Sequence, residues 1–171
     1  TFVQPKLDGL RTINEDNTLT SRNGKPYITC PHLLQNKVTL DGELYSHKYH
    51  DDFNEIVSLV KKQKPTKEDI YETAQKVEMW CYDFPSHPGV FSYRYANLGK
   101  FLRELDNTSL ILVPCYEVFS WDEIRKYHEK FIEEGYEGTI IRLDTVNYES
   151  GKRPKQLLKY KDFVDEEFTI I

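Results

Sequence analysis

The opening stretch Gln4-Pro5-Lys6-Leu7-Asp8-Gly9-Leu10-Arg11 constrains the fold more than any other. Residues 1–13 read as a strand, a turn at Asp8-Gly9 and a second strand, since apolar and polar positions alternate around a turn-forming dipeptide. The lysine two residues before that turn has two readings. It is a solvated surface charge, or it is a nucleophile held at the end of a strand. Lys-x-Asp-Gly fixes only three positions, so the rest of the chain has to decide.

Short elements follow in mixed order. A strand at 18–22 breaks at Asn23-Gly24, a strong hairpin signal. Residues 38–45 are extended and pass through Asp41-Gly42. A helix over 52–62 places Phe53, Ile56, Val57 and Val60 on one face, and Pro65 ends it. Thr66-x-x-Asp69 is a variant capping box for a short helix to Lys76. Residues 77–84 read as a buried strand, and Ser92 as the cap of a helix to Leu105 with Leu98, Phe101, Leu102 and Leu105 inward. Residues 110–118 form a strand interrupted at Pro114. Ser120-x-x-Glu123 and Gly135 bracket a helix whose apolar stripe is Ile124, Tyr127, Phe131 and Ile132. Residues 138–143 and 156–161 are the last two strands. Hairpins interleaved with amphipathic helices, without regular βαβ alternation, give an α+β fold.

At 171 residues and 39% hydrophobic, the chain supports one domain with its own core. The net charge of −5 argues against a dedicated nucleic-acid binder, although a local basic face suffices for such binding. Cys30, Cys81 and Cys115 are an odd number, widely spaced, which disfavours disulfides and zinc and fits a reducing, intracellular compartment. No apolar run reaches membrane-spanning length, so no membrane partner is expected. The chain opens at Thr1 and closes on the alternation Glu167-Phe168-Thr169-Ile170-Ile171, which reads as a strand just begun and as a fragment of a longer protein.

Four further short motifs follow the first: Leu40-Asp41-Gly42-Glu43-Leu44, Tyr82-Asp83-Phe84, Glu137-Gly138-Thr139-Ile140-Ile141-Arg142, and Leu158-Lys159-Tyr160-Lys161. In this order and at these spacings the set resembles the covalent nucleotidyltransferases, and most closely the ATP-dependent DNA ligases. The resemblance covers nearly the whole chain. It implies an ATP-grasp-like nucleotidyltransferase domain over residues 1–163, built of two antiparallel sheets flanked by helices with a nucleotide cleft between them. Residues 164–171 would then begin an OB-fold domain.

The resemblance also implies roles. Lys6 would form lysyl-AMP from ATP, AMP would pass to the 5′-phosphate of nicked duplex DNA, and a 3′-hydroxyl would displace it and seal the strand. Such a reaction serves DNA replication, repair and recombination, here in the cytoplasm of a bacterium or a virus-infected cell, from a monomeric enzyme. Lys159 and Lys161, two apart on a strand, share a face and would meet the α-phosphate. Their charges, or desolvation, would lower the pKa of Lys6. Glu43 would bind the ribose hydroxyls and Glu137 would lie near metal and phosphate, both being candidate ligands for Mg2+. Tyr82 would stack on adenine, with Phe84 as the alternative, and Gln4 would read the adenine amino edge. Arg11 extends the first motif towards the nucleotide. Arg22 and Arg153 match family positions that meet the ribose, the nicked strand or phosphate. Asp8 would hold the turn, and Arg142 reads as structural.

Alternatives remain open at this level. RNA ligases and messenger-RNA capping guanylyltransferases share the lysine motif, although Glu137 and Arg142 favour a DNA ligase. A catalytically silent nucleic-acid-binding domain is the rival from another class. His47 and His50 are spaced as metal ligands, but a solvated helix start explains them as well.

Overall fold

The computed structural model describes residues 1–145, 147–151 and 157–162. Nine strands and four helices are formed among them. The strands are β1 (Phe2–Lys6), β2 (Leu10–Glu15), β3 (Thr18–Ser21), β4 (Leu40–Tyr45), β5 (Glu78–Asp83), β6 (Leu110–Leu112), β7 (Tyr116–Glu117), β8 (Gly138–Arg142) and β9 (Leu157–Tyr160). The helices are α1 (Phe53–Val60), α2 (Lys67–Lys76), α3 (Phe91–Leu105) and α4 (Trp121–Glu133).

Two sheets result, one ordered β7-β1-β8-β9 and the other β3-β2-β4-β5-β6. The expected α+β architecture with helices outside is what the chain forms. All pairings are antiparallel except β5 with β6, which run parallel. That pair departs from the expected pattern because α3 lies between them and carries the chain back, a single βαβ crossover.

The first turn differs from a hairpin in an informative way. β1 and β2 do not pair; Leu7-Asp8-Gly9 carries the chain from one sheet to the other. Lys6 therefore ends one sheet at the point where the chain crosses. The strand expected at 110–118 splits in the same manner: β6 and β7 belong to different sheets, with Pro114 in the link. Asp41-Gly42 is no turn; it lies inside β4, with a register shift against β5.

Three clusters hold the layers. One packs α1 and α3 on the β2–β6 sheet through Leu44, Ile56, Met79 and Leu98. A second packs α4 on the other sheet through Val3, Ile124, Phe131 and Ile141. A third, of Leu7, Tyr45, Trp80 and Val113, joins residues from both sides of the sheet crossings. Burial of these side chains is worth about 1.5–3 kcal/mol each.

The helix signals were read with mixed success, each for a local reason. Thr66 and Asp69 form the reciprocal capping box. Ser92 does not cap α3, because it already lies within the first turn. Its N–H and hydroxyl instead donate to Asp144, at 2.8 and 2.6 Å, so a carboxylate from beyond β8 covers the helix end. On α4 the inward face is Ile124, His128 and Phe131, while Ile132 turns outward and is 37% exposed. Gly135 has φ +89° and stops α4 as expected. Phe84 lies past the end of β5 and is 3% exposed, packed near Phe101, so it is a core residue and not a cleft aromatic.

Gly138 fixes the spacing of β8 and β9. A Cβ there would lie 2.5 Å from the Tyr160 carbonyl oxygen. Gly138→Ala should therefore destabilise the chain by about 1–3 kcal/mol, read as a lower thermal midpoint. An unchanged midpoint would mean that the strands part without strain.

Candidate active site

The cleft lies between the two sheets and has a volume of about 700 Å³. Strand alternation decides what faces it. β1 contributes Gln4 and Lys6, and β8 contributes Ile140 and Arg142. From the other sheet come Arg11, Asp41, Glu43 and Tyr82. Lys159 enters from β9, and Arg22 stands at the rim in the turn after β3. Arg153 and residues 164–171 lie outside the described residues.

Lys6 and Lys161 share one carboxylate. Each ammonium makes an ion pair with Glu137, Lys6 on Oε2 and Lys161 on Oε1. The geometry comes from β8: the Glu137 N–H donates to the Lys6 carbonyl at 3.1 Å, and Gly138 pairs with Lys6 in register. Burial pushes the Glu137 carboxyl up, but the hydrogen bonds from Lys161 and Lys6 outweigh it and hold it below the usual carboxylate value. The same hydrogen bond raises the Lys161 ammonium. The expected neighbourhood of Lys6 and Lys161 thus exists, with an anion between the two cations. Burial, and then the charge of Glu137, raise the Asp8 carboxyl against the opposing pull of Lys6 and Lys161.

Glu43 sits across the cleft on β4, opposite Arg11 in register. Its carboxylate accepts from the Tyr82 hydroxyl at 3.4 Å. Gly9 lacks a side chain because a Cβ would run into Glu43 and the Leu44 carbonyl. Burial pushes the Glu43 carboxyl up to about 8, against the pull of Lys6.

Gln4 is 1% exposed, and its orientation is fixed. Arg142 Nε donates to Gln4 Oε1 at 2.6 Å, which leaves the amide nitrogen facing away, without a partner among the described residues. Arg142 also donates to Asp83 at 2.9 Å, and Arg94 grips the same carboxylate with bonds of 2.7 and 3.0 Å. Two guanidinium groups on one buried acid join β8, β5 and α3 behind the cleft. The Arg142 guanidinium lies 4.4 Å from the Phe91 ring centre and 5.5 Å from that of Tyr82. Arg142 is thus structural, as the sequence reading had it, and Tyr82 presents a ring to the cleft.

Arg11 is held by Asp41, with bonds of 3.1 and 2.8 Å, and Tyr148 donates to the same acid at 2.7 Å. The sequence reading gave no role to Asp83, Arg94 or Tyr148. Asp83 sat inside a quoted motif, which was a usable signal; Arg94 and Tyr148 had none. His47 and His50 stack on each other, and His47 on Tyr136, at 5.0 and 4.4 Å. His47 opens a short 3-10 helix, His47–Tyr49, as the helix-start reading expects, but both rings are half-buried and stacked instead of fully solvated. No group of three or more metal-ligating side chains occurs among the described residues.

The Glu43 shift makes stability pH-dependent. A carboxyl with a raised folded pKa binds its proton more tightly when folded, so stability falls as pH rises from about 4.5 towards 8. Glu43→Gln should leave the midpoint unchanged near pH 4 and raise it at pH 8.5 by about 1 kcal/mol, roughly 2–4 °C. A pH-independent difference between variant and wild type would show that Glu43 ionises freely.

A family model for the ATP dependent DNA ligase domain matches residues 1–161. No curated protein sequence matches the chain. Solved structures do resemble it in fold. A Lig E DNA ligase, from a study of DNA binding with a minimal scaffold, aligns with TM-score 0.76 and 23% identity over 94% of this chain and 61% of its own. The bacteriophage T7 ATP-dependent DNA ligase in complex with ATP aligns with TM-score 0.71 and 20% identity, over 94% and 61%. The Chlorella virus DNA ligase-adenylate gives 0.71 and 20%, over 94% and 60%. The chain spans about three-fifths of the length of these relatives. With the motifs in one cleft and the family model matching almost end to end, the chain belongs to the ATP-dependent DNA ligase domain family.

Proposed function

We propose that this chain is the adenylating domain of an enzyme that seals nicks in duplex DNA at the expense of ATP. The observation that carries the reading is the position of Lys6, at the sheet crossing, in the cleft with Lys159 and paired to Glu137 beside Lys161.

Lys6 must leave Glu137 and give up a proton before its nitrogen can attack. The Nζ–phosphorus bond then forms at the α-phosphate of ATP as the bond to pyrophosphate breaks. Lys159 and Lys161 offset the charge that develops there. Tyr82 stacks on the base, and Gln4, its carbonyl held by Arg142, offers its amide nitrogen to an acceptor on the base edge. Glu43 takes the ribose hydroxyls, a role that suits a carboxyl able to donate as well as accept near neutral pH. Arg11, Arg22 and Arg153 meet phosphates of the nucleotide or the nicked strand. AMP then passes from Lys6 to the 5′-phosphate, and the 3′-hydroxyl displaces it.

Magnesium would neutralise the triphosphate. The chemistry of the donors fits Glu137 as its protein ligand, since it stays ionised beside Lys6. Glu43 fits less well, because a ligand must be deprotonated. One protein carboxylate, with phosphates and water completing the shell, is a usual arrangement for this ion. Among the described residues no helix is long and apolar enough to cross a membrane. The cysteines are free, and Cys30 and Cys81 are buried, which supports a reducing, intracellular setting. We further propose that an OB-fold follows residue 163 in the working enzyme and closes over ATP and DNA.

Intact-mass spectrometry after incubation with ATP and magnesium should find one AMP on the full-length protein. Lys6→Ala should take none, and a retained adduct would move the nucleophile elsewhere. Lys159→Ala should keep the fold and slow adduct formation by about tenfold or more; a wild-type rate would remove it from phosphate chemistry. The 171 residues alone should seal nicks far more slowly than a chain extended through the OB-fold, and equal rates would contradict that division of labour.

A further inference from the structure

On the opposite face of the β1-containing sheet from the cleft, α4 presents His128, which is 3% exposed. Its ring touches three residues. Nδ1 lies 2.9 Å from Thr139 Oγ1, and Nε2 lies 3.0 Å from Asp162 Oδ1. The ring also stacks on Tyr160, with centres 4.1 Å apart and planes inclined by 24°. The carboxylate can only accept, so Nε2 carries a proton and donates to it. Nδ1, in the neutral ring, then accepts from the Thr139 hydroxyl. Thr139 is fully buried, so its hydroxyl has no access to a substrate. The arrangement is a clamp, not a second catalytic centre.

What the clamp holds follows from the register. Thr139 and Tyr160 are paired across β8 and β9. Lys159 and Lys161 flank Tyr160, and alternation sends their side chains to the cleft face when the Tyr160 ring packs on the outer face. Among the described residues β9 is a sheet edge, four residues long and bonded on one side. Lys161 lies one residue beyond the last paired position, where the ladder no longer holds it. The next residue, Asp162, is the one that His128 binds. Asp162 is 64% exposed, and its side chain is tied to the domain through His128, a contact that contributes little to the core.

We propose that His128 is a positioning residue: through Tyr160 and Asp162 it fixes the end of β9 so that Lys161, and with it Lys159, points into the cleft. The consequence for adenylation rests on the ligase reading; the positioning itself does not. Loss of the clamp lets the strand end fray, and Lys161 then leaves Glu137 and the phosphate site.

Asp162→Ala tests this without disturbing the core. In the full-length protein, single-turnover formation of lysyl-AMP at saturating ATP should fall about tenfold. The half-saturating ATP concentration should move less than about twofold, and the thermal midpoint by less than about 2 °C. His128→Gln, which keeps an N–H for Asp162, should lose less than His128→Ala. Adding Asp162→Ala to His128→Ala should cost nothing further, as expected for residues acting through one contact. Hydrogen exchange of residues 157–162 without nucleotide gives an independent reading. In Asp162→Ala it should quicken about tenfold or more, with the rest of the domain exchanging as in the wild type. Wild-type exchange in that variant would overturn the proposal, whatever the enzyme does. Quickened exchange with a wild-type adenylation rate would overturn it as well. If the wild-type protein takes no AMP, the ligase reading fails, and the exchange result alone decides whether His128 positions β9.

Discussion

A single carboxylate shared by two ammonium groups organises the candidate site. Glu137 sits between Lys6 at the end of β1 and Lys161 just past β9. Three strands must be in register for this to occur, and β8 supplies it by pairing with both neighbours. The arrangement holds the Lys6 amine in an ion pair, from which it would have to be released to act as the proposed nucleophile. An ion pair between partly buried groups is stable only while both partners stay in place. An incoming polyanion that draws off the lysines, or a cation that draws off the acid, releases the amine. On the proposed reading, the resting and reactive states would differ by an exchange of partners at Glu137, without a change of fold.

The walls of the cleft are kept in place by a set of buried ion pairs and hydrogen bonds. Asp83 carries Arg94 and Arg142, and Arg142 in turn orients Gln4. Removing one member of such a buried set leaves an unmatched charge, which costs about 3–5 kcal/mol. Nearer the lysine, Leu7, Tyr45, Trp80 and Val113 join the two sheets by apolar contact. Polar ties at Asp83 on the cleft wall and apolar ties at the sheet crossing hold the two sides of the cleft. Arg142 orients Gln4 by a direct hydrogen bond, whereas on the outside His128 contacts Tyr160 and Asp162, the residues on either side of Lys161.

Much of this was legible in the sequence, and the reason is locality. Alternation placed Gln4, Lys6, Lys159 and Lys161 on the cleft side, and capping chemistry located α2 and α4 within a residue or so. Signals that depend on distant pairing were not legible. Nothing near Asp8-Gly9 or Pro114 says that the chain changes sheets there, because turn residues are the same in a hairpin and in a crossing. Ser92 looked like a cap because the acid that does the work, Asp144, is 52 residues away. Phe84 shares the parity of Tyr82, yet β5 ends before it and the side chain turns into the core. His128 replaced Ile132 on the inner face of α4 because its partners, Thr139 and Asp162, come from other elements.

The central claim is that the α-phosphate of ATP is brought to Lys6 within this cleft. A crystal structure of the protein grown with ATP tests it most directly. The account predicts electron density continuous from Lys6 Nζ to phosphorus, the adenine ring against Tyr82, and Lys159 and Lys161 turned to the phosphate oxygens. Nucleotide bound elsewhere, with Lys6 still on Glu137 and the cleft empty, would contradict it.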